Sequence, residues 1–195
     1  MHMKLTALAT LLLSSTLVAD VSSTAPEAPP TGVFSTPYMT VSSPAGGNWR
    51  MQSESDFEVR FSRGEAINSF VAAVALFRMG PADSPEEYEE LIRRSSASDT
   101  DPRMPDRYEL LEQSIKYSSE RAYPCVRYRA TSKDRGAKGA NGPLLLELDG
   151  LYCRHPADES VGVSILYSHR GLTRHAHLKT DADEFIQNVV LHGSE

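Results

Sequence analysis

The two cysteines of this 195-residue chain, Cys125 and Cys153, restrict the folds that it can adopt more than any other feature of the sequence. The segments 123–133 and 143–154 around them read as extended strands, and the Gly-containing stretch between them is typical of a loop. In a hairpin centred near Gly139 the two cysteines face each other. Directly opposed Cβ atoms on antiparallel strands lie about 4.5–5.5 Å apart, which is near the separation that a disulfide needs. The sequence therefore predicts a hairpin with one disulfide, whereas in a reducing compartment the same residues would be free thiols.

The register of this hairpin separates its side chains into two faces. On the cysteine face it pairs Arg129 with Asp149 and Thr131 with Glu147. The opposite face is apolar and is predicted to form a core from Val126, Tyr128, Ala130, Leu146, Leu148 and Tyr152.

A third strand is predicted from the alternation of apolar residues over 161–167. A hairpin about the turn at 155–159 would place Val163 opposite Tyr152 and Tyr167 opposite Leu148. In this register the third strand extends the apolar face, because side chains alternate between faces with a period of two.

The remaining elements follow from local patterns. Alternation predicts a strand over 57–61, and the apolar run 69–77 favours a buried strand over a helix. A helix from Ser84 to about Arg94 is predicted from a capping box, in which Ser84 is the N-cap, Pro85 follows and Glu87 stands at the third position.

Two further helices are predicted, over 106–118 and from Thr180 onward. In the first, Tyr108, Leu111 and Ile115 share one helical face; in the second, the apolar stripe contains Phe185, Ile186, Val189 and Val190. The fold class is therefore α+β, an antiparallel β-sheet with helices packed on one face and one disulfide.

The N-terminus has the three parts of a secretory signal peptide over 1–19: a basic start at Lys4, a short apolar run and small residues before Asp20. A membrane-anchoring helix and an irregular cytosolic N-terminus are the alternatives. The Pro-, Ser- and Thr-rich stretch 20–48 is predicted to be a flexible tether, followed by a single α+β domain over 49–195.

Charge excludes one broad class of partner. The net charge is −6, and removal of the signal peptide would leave 19 basic against 26 acidic residues. An acidic chain lacks the electrostatic footprint of a general nucleic-acid binder. Phosphate-binding loops, dinucleotide fingerprints and similar cofactor motifs do not occur in the sequence, so no cofactor is predicted.

A basic cluster is the first candidate site. Its members are Arg121, Arg127, Arg129, Lys133, Arg135 and Lys138, and four of them, Arg127, Arg129, Arg135 and Lys138, are predicted partner-binding residues. The alternative is a solvated sheet face whose basic side chains form cross-strand ion pairs with Asp149 and Glu147.

Two histidines are the second candidate site. His175 and His177 would lie on one side of an extended segment and could share a metal ion, although the sequence fixes no further ligand. The alternative is an exposed polar loop. A hydrolase is the third possibility, but Ser168 and His169 are strand neighbours that point to opposite faces.

Three stretches carry a resemblance to a known group of proteins: Cys125–Ala130, Gly150–Pro156 (GLYCRHP) and Tyr167–Gly171 (YSHRG). With these motifs the chain resembles a group of uncharacterised exported bacterial proteins and lipoproteins, which implies an envelope location and no established activity. It lacks the lipid-accepting cysteine of the lipoprotein members. Its order of elements is also similar to that of PsbP-like and Mog1-like α+β domains, which implies a binding or assembly role.

The functional expectation is a non-enzymatic binding or assembly-accessory protein of the cell envelope, either periplasmic or secreted. Its partner would be an envelope protein or polymer, with no nucleic acid and no membrane span after signal cleavage. The alternatives are a periplasmic metal-binding protein that uses His175 and His177, and a small exported hydrolase.

The disulfide generates the first testable prediction. It would close a loop of about 28 residues and stabilise the fold by roughly 3 kcal/mol, because it restricts the unfolded chain. We expect Cys125→Ala to lower the melting temperature by several degrees in circular-dichroism melts, and a reductant to have the same effect on the wild type. A melting curve that neither the substitution nor the reductant alters would contradict the predicted disulfide.

Overall fold

A computed structural model of the chain describes residues 32–98, 106–137 and 139–193. The predicted signal peptide, the first part of the predicted tether and Lys138 lie outside the described residues. In the described residues, no helix is both long enough and apolar enough to cross a membrane.

Two antiparallel sheets and two helices make up the described fold. The large sheet has seven strands, in the spatial order β3 (Arg50–Ser55), β4 (Glu58–Glu65), β5 (Asn68–Arg78), β9 (Asp158–Gly171), β8 (Leu144–His155), β7 (Cys125–Asp134) and β6 (Tyr108–Ser118). The small sheet contains β1 (Val33–Ser35), β2 (Met39–Ser42) and β10 (Val189–Leu191), and the helices are α1 (Pro85–Ser98) and α2 (Leu178–Gln187). The α+β class, the antiparallel sheet and the strands predicted at 57–61 and 69–77 are confirmed.

The predicted hairpin forms in the predicted register. Cys125 lies opposite Cys153, Arg129 opposite Asp149 and Thr131 opposite Glu147. The two cysteines form a disulfide with an S–S distance of 2.08 Å.

The register of the third strand differs from the prediction by one residue. The pairing is irregular between Arg154, which lies opposite Gly162, and His155, which lies opposite Asp158, so that Val163 lies opposite Cys153 and Tyr167 opposite Asp149. A shift of one residue moves every side chain of a strand to the other face of the sheet. The apolar residues of β9 therefore lie on the cysteine face.

This shift places the main core on the cysteine face. Its fully buried residues include Met39, Val41, Val59, Val74, Cys125, Leu151, Cys153, Val163 and Ile165. The face that the sequence predicted to be the core carries a smaller cluster, which contains Val126, Tyr128 and Ala130.

Each of the two faces is covered by one helix. Phe185 and Ile186 of α2 pack into the main core, whereas Tyr88 and Ile92 of α1 pack against the smaller cluster. The helices thus lie on opposite faces, which differs from the prediction that they share one face. The physical reason is that both faces of β7 and β8 carry apolar side chains that need cover.

Ser84 is the N-cap of α1, as predicted, but Glu87 bonds the residue before the N-cap and not Ser84 itself. The Ser84 hydroxyl accepts a hydrogen bond from the Glu87 N–H at 3.3 Å, and the Glu87 carboxylate accepts one from the Asp83 N–H at 2.7 Å. The terminal helix is also confirmed, but it ends at Gln187. Val189 and Val190, predicted in its stripe, belong to β10.

The helix predicted over 106–118 is wrong. This segment is the edge strand β6, which pairs along its length with β7 and contains a bulge between Leu110 and Glu112. Leu110 and Leu111 are exposed, and Ile115 packs against the smaller cluster. The alternation of apolar and polar residues is weak in a strand that is covered over only part of its length. The backbone hydrogen bonds to β7 stabilise the strand more than the helical spacing of the apolar residues would stabilise a helix.

The folded region begins before Trp49, the residue at which the sequence placed its start. β2 pairs with β1 and with β10, and its Met39 and Val41 are fully buried in the main core. The described part of the predicted tether is therefore a structural element. Its partner, β10, stands about 150 residues away in the sequence, so local patterns do not reveal the pairing.

A pair of glycine substitutions tests the packing of the central hairpin. A Cβ atom on Gly150 would lie 2.3 Å from the carbonyl oxygen of Ile165, whereas no heavy atom lies within 4 Å of that position on Gly142. We expect Gly150→Ala to destabilise the protein by about 1–3 kcal/mol in urea unfolding and Gly142→Ala to change its stability by less than about 0.5 kcal/mol. Equal stabilities of the two variants would contradict this register.

Candidate functional site

A groove of about 600 Å³ opens on the cysteine face of the large sheet, beside α2. We call it the sheet groove. Strands β6, β7 and β8 line one side, and the connection from β9 to α2, with the first turn of α2, lines the other. Its polar lining residues are Glu112, Gln113, Ser114, Arg129, Thr131, Glu147, Asp149, Arg174, His175 and Lys179, and Ala130, Leu148, Ala176 and Leu178 complete it.

Arg127, a predicted partner-binding residue, is buried next to this groove. Its guanidinium contacts Asp149 at 2.6 Å, Asp183 at 2.6 Å and Glu120 at 3.2 Å. Burial opposes the charged form, but the hydrogen bonds and attraction of Asp149 and Asp183 outweigh it and raise the pKa of Arg127. Arg127 therefore joins β7, β8 and α2 and does not lie on the accessible surface.

Arg129 lies in the sheet groove. Its Nε donates to the second carboxylate oxygen of Asp149 at 3.1 Å, and its side chain is 46% exposed. Asp149, itself buried, thus accepts hydrogen bonds from both arginines of β7. The cross-strand ion pair predicted as the alternative to partner binding is present, and it holds Arg129 in a fixed position at the groove wall.

The other described basic residues of the predicted cluster, Lys133, Arg135 and Arg121, lie elsewhere. Arg135 and Lys133 pair with Glu109 at 2.5 Å and 3.5 Å, outside the groove lining. The hydrogen bond from Arg135, with the charge of Lys133, lowers the pKa of Glu109. Arg121 donates to the carbonyl of Ile186 at the end of α2. The structure therefore does not bring the described members of the predicted cluster together.

Glu147 connects two histidines beneath the groove. Its carboxylate lies 3.2 Å from His169 Nδ1 and accepts the backbone N–H of His175 at 2.8 Å. His169 also contacts Asn68 at 3.0 Å through its Nε2. Glu147 is therefore engaged with histidine groups, and among the described residues no member of the basic cluster forms an ion pair with it.

The two predicted metal ligands lie at the start of α2. His175 Nε2 contacts the Asp181 carboxylate at 2.9 Å, and the rings of His175 and His177 lie 6.1 Å apart, centroid to centroid. Within the described ranges, no group of three or more His, Cys, Asp or Glu side chains has a geometry that could hold a metal ion.

Next to His175 lies a polar cluster that the sequence analysis missed. The Arg63 guanidinium stacks on the rings of Trp49 and Phe70 at 4.8 and 4.5 Å and contacts the Tyr167 hydroxyl at 3.4 Å. Burial raises the pKa of Tyr167 to about 12. No local sequence signal marks Arg63, because its aromatic partners come from three other segments.

Ser168 and His169 point to opposite faces, as predicted. The Ser168 hydroxyl donates to the carbonyl of Val71 at 3.3 Å, while the His169 ring lies beside Glu147. The charged side chains that line the sheet groove are paired with opposite charges or with histidine, so they offer a ligand charges of both signs.

No protein-family profile matches the sequence, and no curated protein matches it either. Among solved structures, the chain is weakly similar to the 1.9 Å crystal structure of the Saccharomyces cerevisiae Ran-binding protein Mog1p, with a TM-score of 0.43 and 10% sequence identity. The match covers 78% of this chain and 89% of Mog1p. The resemblance to exported bacterial proteins therefore stays a prediction.

The ion pairs beside the groove predict an acid-dependent stability. Burial raises the pKa of Asp183, but hydrogen bonds and attraction from Lys179 and Arg127 outweigh it, and the pKa in the folded protein is lowered. The stability that Asp183 contributes is therefore complete above the unfolded pKa of about 4 and is lost as the pH falls through the folded pKa. We expect Asp183→Asn to melt below the wild type at pH 7, and the difference to shrink toward pH 2.

The control for this experiment is Glu86→Gln, at an exposed position in the first turn of α1. The melting temperature of this variant should follow that of the wild type closely from pH 7 to pH 2. A difference between Asp183→Asn and the wild type that stays constant from pH 7 to pH 2 would contradict the role of the ionised carboxylate.

Proposed function

We propose that the chain is an exported, non-enzymatic binding or assembly-accessory protein of the cell envelope, periplasmic or secreted. The sheet groove binds a polypeptide segment of its partner. The observation that carries this proposal is a groove on the sheet face whose charged walls are held by ion pairs within the protein.

The balance of charges favours a polypeptide over an anionic polymer. Each of the three basic residues that line the groove has an acidic partner: Arg129 pairs with Asp149 at 3.1 Å, Arg174 with Glu112 at 2.6 Å and Lys179 with Asp183 at 2.5 Å. A polyanion would meet about as many acids as bases along these walls. A peptide segment that carries both signs of charge can match both.

The wall formed by the β9–α2 connection is fixed before any partner binds. Arg174 ties it to β6, the backbone N–H of His175 ties it to Glu147 of β8, and the His175 ring ties it to Asp181 of α2. These three contacts, made by two adjacent residues, order the loop in the free protein. Binding a partner therefore costs less conformational entropy.

Two features support the proposed location. The sequence over 1–19 has the organisation of a signal peptide. The only two cysteines of the chain form a disulfide, and disulfides form and persist mainly in oxidising compartments.

Site-specific photo-crosslinking in the host tests the groove. A photoreactive amino acid at Ser114, which lies in the groove, should crosslink to an envelope protein, and one at exposed Ser119, beyond the end of β6, should not. We expect Ser114→Trp, which fills the groove, to reduce copurification of that protein at least tenfold, and the matched Ser119→Trp to leave it unchanged. Both variants should melt within a few degrees of the wild type.

The same cells test export. Mass spectrometry of the periplasmic fraction should show a chain that starts at Asp20 and contains the disulfide. A full-length, reduced chain in the cytosol would overturn the location, and equal crosslinking from Ser114 and Ser119 would overturn the groove as the binding site.

A metal-binding protein that uses His175 and His177, and a small exported hydrolase, stay predictions from the sequence. A metal that survives dialysis and is lost in His175→Ala would favour the first alternative over the binding protein. Because His175 Nε2 already contacts Asp181, a metal ion would bind the Nδ1 of this ring or displace that contact.

A further inference from the structure

A second cavity, of about 420 Å³, lies at the disulfide end of the central hairpin. Arg154, His155 and Pro156 of the GLYCRHP motif line it, together with Tyr88 of α1 and the Tyr123–Pro124 segment before β7. The proposed binding groove does not use these residues, so the motif still lacks a functional explanation.

Arg154 is the unusual residue of this cavity, because it is a buried cation with neutral partners. It is 9% exposed. Its Nε donates to the Tyr88 hydroxyl at 2.5 Å, and its Nη2 donates to the carbonyl of Gly80 at 2.9 Å. Its Nη1 donates to the backbone carbonyl of Glu159, and the guanidinium lies 5.1 Å from the centre of the Tyr88 ring.

Among the described residues, no carboxylate oxygen lies within 4.0 Å of this guanidinium. Arg127 shows the contrast, because three carboxylates surround it at a similar degree of burial. A buried charge is costly to the fold unless an opposite charge or strong hydrogen bonds compensate it. Arg154 has five N–H groups, and its three bonds engage one from each nitrogen, which leaves donors for an anion.

Arg154 lies where the pairing of β8 with β9 is interrupted: its own partner is Gly162, but that of His155 is Asp158. The extra residues of β9 at this point include Glu159, whose backbone carbonyl accepts a hydrogen bond from Arg154. The adjacent His155 ring is committed to structure, because its Nδ1 accepts the Ala157 N–H at 3.1 Å and its Nε2 contacts the Tyr38 carbonyl at 3.1 Å. The histidine holds the turn, and the arginine is the group that faces the cavity.

We propose that this cavity binds a single carboxylate carried on an apolar or aromatic group, with Arg154 as the residue that holds the carboxylate. Guanidinium and carboxylate match in geometry and can form two parallel hydrogen bonds. Tyrosine, proline and alanine side chains supply the apolar walls. Asp83 and Glu159 also line the cavity and repel a phosphate dianion more strongly than a single carboxylate, because the repulsion grows with the charge of the ligand.

Nuclear magnetic resonance titration tests the ligand class. The probes are 3-phenylpropionate, its neutral amide and inorganic phosphate, and the readout is the Nε–H resonance of Arg154. We expect a saturable shift with the carboxylate and binding at least tenfold weaker with the amide and with phosphate. A short peptide that ends in phenylalanine with a free carboxylate, compared with its C-terminal amide, distinguishes a chain terminus from a small acid as the source.

Variants distinguish whether Arg154 binds a ligand or serves only to stabilise the fold. Arg154→Met should abolish binding, but it also removes three hydrogen bonds and can impair folding. Ala122 is an exposed residue of the cavity lining, where a charge can be added without disturbing these bonds. We expect Ala122→Glu to weaken the binding of 3-phenylpropionate at least tenfold and the matched Ala122→Lys not to weaken it. Both variants should have the melting temperature of the wild type.

Three results would overturn the proposal. The first is no shift of the Arg154 resonance with any carboxylate up to about 10 mM, a range that detects even weak millimolar binding. The second is equal affinity for the acid and its amide. The third is an equal effect of Ala122→Glu and Ala122→Lys. Since the cavity and the sheet groove share no residue, none of these results bears on the proposed binding groove.

Discussion

The register shift between Arg154 and His155 determines how the rest of the molecule is arranged. It places Val163, Ile165 and Tyr167 on the same face as the disulfide, where β4 and β5 add further apolar side chains. That face then needs cover, and α2 and the small sheet provide it. In the unshifted register the same apolar side chains would lie on the face that α1 covers, and the main core could not form where it does.

Two kinds of linkage hold the cysteine face along the central hairpin. At one end the disulfide joins β7 to β8, and in the middle Arg127 joins both strands to α2 through Asp149 and Asp183. Replacing such a buried ionic cluster with apolar residues is often neutral, whereas removing one partner costs several kcal/mol, because an unpaired charge is left behind. The ionic cluster therefore fixes the position of α2 beside the sheet, and the sheet groove is the space that α2 leaves uncovered.

The two buried arginines of the hairpin serve different purposes. Arg127 is compensated by three carboxylates, so it acts within the fold. Arg154 has aromatic and carbonyl partners and lines a cavity with apolar walls, so it retains capacity for an anionic ligand. Membership of the basic cluster in the sequence therefore does not predict which arginine can bind a partner. Burial and the neighbouring carboxylates determine whether an arginine has hydrogen-bond donors left for a ligand.

Elements with local signals could be predicted from the sequence: the N-cap at Ser84, the packing of Phe185 and Ile186 of α2 and the register that pairs Cys125 with Cys153. Each depends on residues that are close in the chain or symmetric about one loop. Long-range contacts set the face on which the core lies, the conformation of 106–118 and the pairing of β2 with β10. The irregularity between β8 and β9 leaves the composition and periodicity of both strands unchanged, yet it exchanges the faces of β9. The sites depend on the same non-local choices, because the groove and the Arg154 cavity are each assembled from several separate segments.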